Sequence, residues 1–215
     1  MTYFGIDSYG STVTTTDVDT WFINPPIAVG VFPGRTHYDS DIHSAEFNLR
    51  RQWNHWLTLL GGFRWINVNE ILNTDIGGVA TNRIDVDNQM YGLQLGLDTY
   101  LWSYGRFSLE GYGKAGIYSN DSDGRSSSFG IVGAVPVVTA SEDRAAFVGE
   151  LALTGVYDIS QRWSLRGGYQ MLWLDGVALA PEQLDNMNIV TGVATLDVGQ
   201  TAFYHGVNLA AEFRW

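Results

Sequence analysis

Stretches in which apolar and polar residues alternate recur along the chain, each about as long as the next. The clearest runs from Gly206 to Trp215. Val207, Leu209, Ala211, Phe213 and Trp215 fall on one side, and Gly206, Asn208, Ala210, Glu212 and Arg214 on the other. Successive side chains of a strand point to opposite faces, so this is a two-sided strand. Six similar patterns precede it, at about 43 to 53, 57 to 68, 88 to 101, 107 to 118, 146 to 157 and 163 to 174. An N-terminal piece, Met1 to Ile6, reads as the outer half of a further strand whose beginning is missing.

Each pattern has the ~9 to 11 residues that cross a bilayer at a tilt. The connectors alternate in length: 54–56, 103–106 and 158–162 are tight, whereas 7–42, 69–87, 119–145 and 175–202 are long and polar. Short periplasmic turns opposite long outer loops are the arrangement of outer-membrane barrels. Trp and Tyr concentrate at the two membrane interfaces, and the aromatics obey the same division. Trp53, Trp56, Trp102, Trp163 and Trp215 fall at the short-turn ends, and Trp65, Tyr91 and Trp173 near the long-loop ends. The expected fold is all-β: a single domain over 1–215, an antiparallel up-and-down transmembrane β-barrel of about eight strands, with 7–42 a long extracellular loop. A parent chain with two further strands would give ten. A last strand ending in Phe213 and Trp215 looks like the signal read by the barrel assembly machinery, which joins outer-membrane lipid as an expected partner.

With the apolar alternates turned outward, the opposite faces collect Glu46, Asp98, Glu110, Glu150 and Glu212 together with Arg50, Arg64, Lys114, Arg166 and Arg214. Five acids against five bases predict pairing, because desolvating either sign alone costs several kcal/mol per ion. An eight-stranded barrel is just wide enough to be filled by side chains, so the expected interior is a plug more than a channel. A small porin-like channel is the runner-up. Alternation alone does not distinguish inside from outside, and a soluble lipocalin-like barrel with its apolar face inward is the other alternative. A soluble sandwich whose strand-end aromatics close its core is a further competitor.

Twelve basic residues, of which Lys114 is the one lysine, against 23 acidic ones give a net charge of -11, which repels a phosphate backbone and excludes nucleic acid as an expected partner. The absence of Cys removes disulfides and thiol chemistry. The longest uncharged run, Ser126 to Ser141, is broken by Pro136, so no membrane helix is expected. No basic, apolar leader opens the chain.

Gly111, Gly113 and Gly116 spell G-x-G-x-x-G, but a dinucleotide fingerprint joins a strand to a helix and these glycines lie inside an alternating strand. Acidic pairs recur in the long connectors at Asp17 and Asp19, Asp39 and Asp41, Asp85 and Asp87, and Asp121 and Asp123. None completes a calcium loop, so solvated loop polarity is the expectation. His43 with Asp39 and Asp41 is the one cluster with a catalytic look. No H-E-x-x-H or G-x-S-x-G occurs, and neither enzyme activity, cofactor nor metal is expected.

Six segments taken in order resemble the seventh putative beta-barrel porin family: HSAEFNLRRQW (His43 to Trp53), WLTLLGGFRW (Trp56 to Trp65), MYGLQLG (Met90 to Gly96), GKAGIY (Gly113 to Tyr118), GYQMLWLDGVALA (Gly168 to Ala180) and FYHG (Phe203 to Gly206). The resemblance covers most of the chain from Tyr38 onward. It implies location in the cell outer membrane and a porin-like or structural role. It supplies no surface ligand and no catalytic residues.

Overall fold

The computed structural model describes residues 2–18, 32–77, 80–130, 133–134, 137–184, 186–188 and 193–213. Asp19, Arg214 and Trp215 lie outside them. The elements in chain order are β1 (Thr2–Val18), β2 (Phe32–Gln52), β3 (Leu57–Ile76), β4 (Ala80–Tyr104), β5 (Phe107–Gly130), β6 (Gly133–Ala134), β7 (Val138–Asp158), β8 (Trp163–Val177), a single-turn 3-10 helix (Ala180–Gln183), β9 (Met187–Asn188), β10 (Val193–Ala194) and β11 (Gln200–Phe213). The eight long strands form one antiparallel sheet in the order β1-β2-β3-β4-β5-β7-β8-β11, with β6 beside β5, while β9 and β10 pair separately. This is the up-and-down all-β arrangement read from the alternation.

The sheet is strongly curled. Ser40 on β2 and Tyr204 on β11 are six strand spacings apart, roughly 29 Å across a flat sheet at ~4.8 Å each. Their hydroxyls nonetheless meet at 3.3 Å. The curl leaves two edges: among the described residues no ladder joins β1 to β11.

The three tight turns fall where the sequence places them, each closed by a local device. Asn54 Oδ1 accepts the Trp56 and Leu57 N–H groups at 3.0 and 2.8 Å. Gly105, at φ 61, supplies the left-handed residue between β4 and β5. Ser160 Oγ accepts the Arg162 and Trp163 N–H groups at 3.3 and 3.1 Å.

The long connectors differ from expectation. Residues 7–18, 32–42, 69–76, 80–87, 119–130 and 138–145 are strand, not loop, so the central strands run 20 to 25 residues. Their alternation continues but changes phase. On β3 the exposed Phe63 and half-buried Trp65 face outward, whereas beyond them Ile66, Val68 and Leu72 face inward and are buried, with half-buried Ile71 the one apolar residue left on the outward side. On β4 the buried Ile84, Val86 and Met90 face inward, and the exposed Tyr91, Leu93, Leu95 and Leu97 face outward. The β3–β4 ladder runs from Leu57↔Thr99 to Ile76↔Ala80 without a shift, so the inversion lies in residue choice and not in register. Near the short turns the convex face is apolar and the concave face polar. In the outer half the order is reversed, with Asn67, Asn69, Asp85, Asp87, Asp121 and Asp143 turned outward and a buried apolar core inside.

Candidate functional site

The concave face near the short turns carries the charges, and β2, β3, β5 and β7 deliver the largest cluster. Arg64 and Glu150, each 4% exposed, bond at 2.5 Å through Nη1 and Oε2. Arg64 Nε also donates to Ser44 Oγ at 2.7 Å. The second oxygen of Glu150 accepts Tyr112 OH at 2.5 Å and Gln170 Nε2 at 2.9 Å. Lys114 Nζ donates to both oxygens of Glu46 at 2.9 and 3.2 Å and lies 3.9 Å from Glu150. Gln94 Nε2 bridges Glu46 and Asn48 at 2.6 and 2.9 Å, and Gln94 Oε1 accepts Tyr118 OH at 3.2 Å. Two smaller groups lie nearer the turns: Arg166 spans Glu110 at 2.5 Å and Glu212 at 3.3 Å, and Arg50 pairs with Asp98. Nine of the ten charged residues singled out in the sequence thus meet an opposite charge on this face; the tenth, Arg214, lies outside the described residues.

The aromatics sit at two levels on the convex face. At the turn level Trp53, Trp56, Trp102 and Trp163 are exposed; Trp102 stacks on Tyr104 with ring centroids 6.2 Å apart, and Trp163 lies 5.0 Å from Phe213. At the inversion level Trp65 and Tyr91 are cross-strand partners, and so are Trp173 and Phe203, whose rings are 5.1 Å apart. Leu95 and Leu209, between the two levels, are 75% and 84% exposed.

The outer interior holds what the sequence reading missed. The segment after β8 crosses the inner face of the sheet instead of forming an outer loop, and Ala178, Ala180, Leu196 and Val198 pack on Leu72, Ile84 and Val86. Glu70, 1% exposed, is anchored there, accepting Tyr38 OH at 2.6 Å and the Ala180 N–H at 2.9 Å. Burial lifts the Glu70 carboxyl above the usual carboxylate range, although both donors pull it back. Burial, and then the hydrogen bond to Glu70, raises the Tyr38 hydroxyl as well. The signal for this layer was present in Ile84, Val86, Val68 and Leu72, which alternate in the opposite phase to the outward-facing leucines.

The other motifs dissolve into the sheet. G-x-G-x-x-G lies inside β5. Asp39 pairs with His37 at 2.9 Å, and His37 Nδ1 lies 2.7 Å from Thr12 Oγ1. Asp121 and Asp143 are directly opposite each other on β5 and β7, and the charge of Asp143 raises the exposed Asp121 carboxyl. Among the described residues no group of three His, Cys, Asp or Glu could hold a metal ion, and no helix is long and apolar enough to cross a membrane.

No curated protein and no solved structure matches the chain. A family match runs over residues 13–215, which takes in every long strand from the latter part of β1 to the end of β11. An up-and-down curled sheet, apolar outside and ion-paired inside near its tight turns, agrees with that match, and the chain belongs to the family described as Putative beta barrel porin-7 (BBP7).

Proposed function

We propose that this protein resides in the outer membrane as a β-barrel with a structural or surface-binding role, its interior filled and not open. One observation carries the reading: the concave face is occupied at both levels, by the Arg64–Glu150 and Lys114–Glu46 clusters near the turns and by the apolar core in the outer half. The bare leucine belt between the aromatic levels fits hydrocarbon, since contiguous exposed apolar surface of this kind is not left in water. Lipid is then the partner of the convex face, and the barrel assembly machinery the partner of β11 with Phe213. The extended outer strands with their outward aspartates would be the surface presented outside the cell.

Reconstituted in planar bilayers, the protein should show little or no steady conductance. A large, stable open channel would overturn this reading and favour a narrow porin. That second reading draws on the family description and on Gly206, Asn208 and Ala210, which stay exposed on the concave side of β11 where the filling is thin. If the porin holds, reversing Glu110 should change ion selectivity.

A further inference from the structure

A cavity of about 580 Å³ lies between β2 and β11, where the interior filling is thin. That is the size of a small-molecule site. Ile42, Leu172, Leu179 and Ala202 make its walls apolar. At the level of Ser40 the wall turns polar: Glu70 is the ladder partner of Ser40, Tyr38 OH donates to Glu70 at 2.6 Å, and the Tyr204 hydroxyl lies 3.3 Å from Ser40 Oγ. Toward the tight turns Gln170 and Asn208 add neutral amides. Gly206, the ladder partner of Gln170, leaves that end open, since a Cβ added there would meet no atom within 4 Å.

Two observations define the occupant. The first is charge. Glu46, Glu150, Glu110, Glu212 and Asp98 on the concave face each meet a cation. Glu70 does not: it is 1% exposed and accepts two neutral donors, Tyr38 OH and the Ala180 N–H, and among the described residues no cation reaches it. A buried carboxylate without a counter-charge is costly, and burial accordingly lifts the Glu70 carboxyl. Each of its oxygens keeps a further lone pair for a donor. The rings of Tyr38 and Tyr204 in the same wall suit an organic cation. The second observation is access. Residues from both faces of β11 line the cavity, Tyr204 and Gly206 from the inner face and Phe203 and Val207 from the outer, so it reaches round the edge of β11 that has no ladder partner among the described residues. Val207, 75% exposed, continues from there into the apolar belt of Leu209.

We propose that this cavity binds an alkylammonium amphiphile, its ammonium on Glu70 beside Tyr38 and Tyr204 and its chain running past Ile42 and Leu172 to the free edge of β11. The ligand supplies the cation that the fold does not give Glu70. An anionic head is repelled by the same carboxylate, and an uncharged one leaves it unpaired. The site stands on the cavity and its lining; entry of the ligand from the bilayer rests on the outer-membrane reading.

Titration calorimetry of the full chain in lipid nanodiscs, with empty nanodiscs as reference, tests it with n-octylamine, n-octanol and n-octanoate. Wild type should bind n-octylamine saturably at one site, about tenfold or more tighter than either other probe, as expected for a buried hydrogen bond to a charged group. Glu70→Gln should remove that preference and leave n-octanol binding unchanged. Gly206→Phe, which fills open space beside Gln170, should weaken the amine and n-octanol alike, and serves where Glu70→Gln fails to fold. No saturable amine binding, n-octanol or n-octanoate binding as tightly as the amine, or amine binding that either folded variant leaves unchanged overturns the site. The two readings fail separately: steady conductance of the ligand-free protein overturns the filled interior, and the calorimetric outcomes just named overturn the amine site.

Discussion

Glu150 accepts hydrogen bonds from Arg64, Tyr112 and Gln170, and Arg64 is the cation it faces, so neutralising the two singly and together measures what the cluster contributes. Removing one member of a buried pair costs about 3–5 kcal/mol, because the remaining charge is left without compensation. The two single variants should not be equal. Glu150→Gln leaves the guanidinium with Ser44 Oγ at 2.7 Å, and arginine does not shed its proton; the cost belongs near the upper end, about 5 kcal/mol. Arg64→Met leaves Glu150 with Tyr112, Gln170 and Lys114 Nζ at 3.9 Å, which places its cost at the lower end, about 3 kcal/mol. The double variant buries no unpaired charge and loses only hydrogen bonds at ~0.5–1.5 kcal/mol each, so it should be no worse than Arg64→Met. Urea titrations of protein folded in vesicles, followed by Trp fluorescence and by the boiling-sensitive electrophoretic shift, give the three values. Additivity to within ~0.5 kcal/mol would refute the reasoning, since independent sites behave so. A larger loss for Arg64→Met than for Glu150→Gln would place Arg64, not Glu150, in contact with water.

The phase inversion predicts opposite tolerances at two heights: Leu95→Arg should cost about 2–4 kcal/mol by exposing a charge to hydrocarbon. Val86→Arg, in the outer core, should be at least as damaging, and Asn69→Arg on the outer convex face nearly silent; equal effects of Val86→Arg and Asn69→Arg in the same titration would sink the inversion. Glu70 gives a pH test. Its folded pKa is raised, so folding takes up a proton, and the stability this lends the outer half is full below the unfolded carboxylate value and lost as pH rises through the folded one. Wild type should therefore gain on Glu70→Gln during acidification through that window, and parallel pH profiles of the two proteins would count against it.

The half of the fold nearest the tight turns was legible because its alternation is clean and bounded by turn residues: Asn54, Gly105 and Ser160 close the turns that their types suggest. The interior charges were legible for the same reason, since one register puts Glu46, Arg64, Lys114 and Glu150 on one side. The outer half was not. Beyond Trp65 the outward residues become Asn67 and Asn69, and before Tyr91 they are Asp85 and Asp87, so a reader following apolar outward positions sees the strand end and a polar loop begin. The segment after β8 was hidden for a different reason. Asn88 and Gln183 act through side-chain amides that bond backbone, and no spacing in the sequence distinguishes such an amide from one facing water.

If the convex face meets lipid as proposed, the level at which the alternation changes phase also sets a depth. From Tyr91 to Trp102 on β4, strand rise and tilt give an apolar height of roughly 25 Å, suited to a thin bilayer. Sinking the molecule by two residues would carry Asp121, Asp143 and Asp175 toward hydrocarbon, at a cost below ~1 kcal/mol each near the interface. Lifting it by the same distance would bring Leu93 and Ile117, each 72% exposed, into water. In that setting the protein would be its own plumb line: both displacements raise the free energy, and the restoring force grows with every strand that shares the inversion.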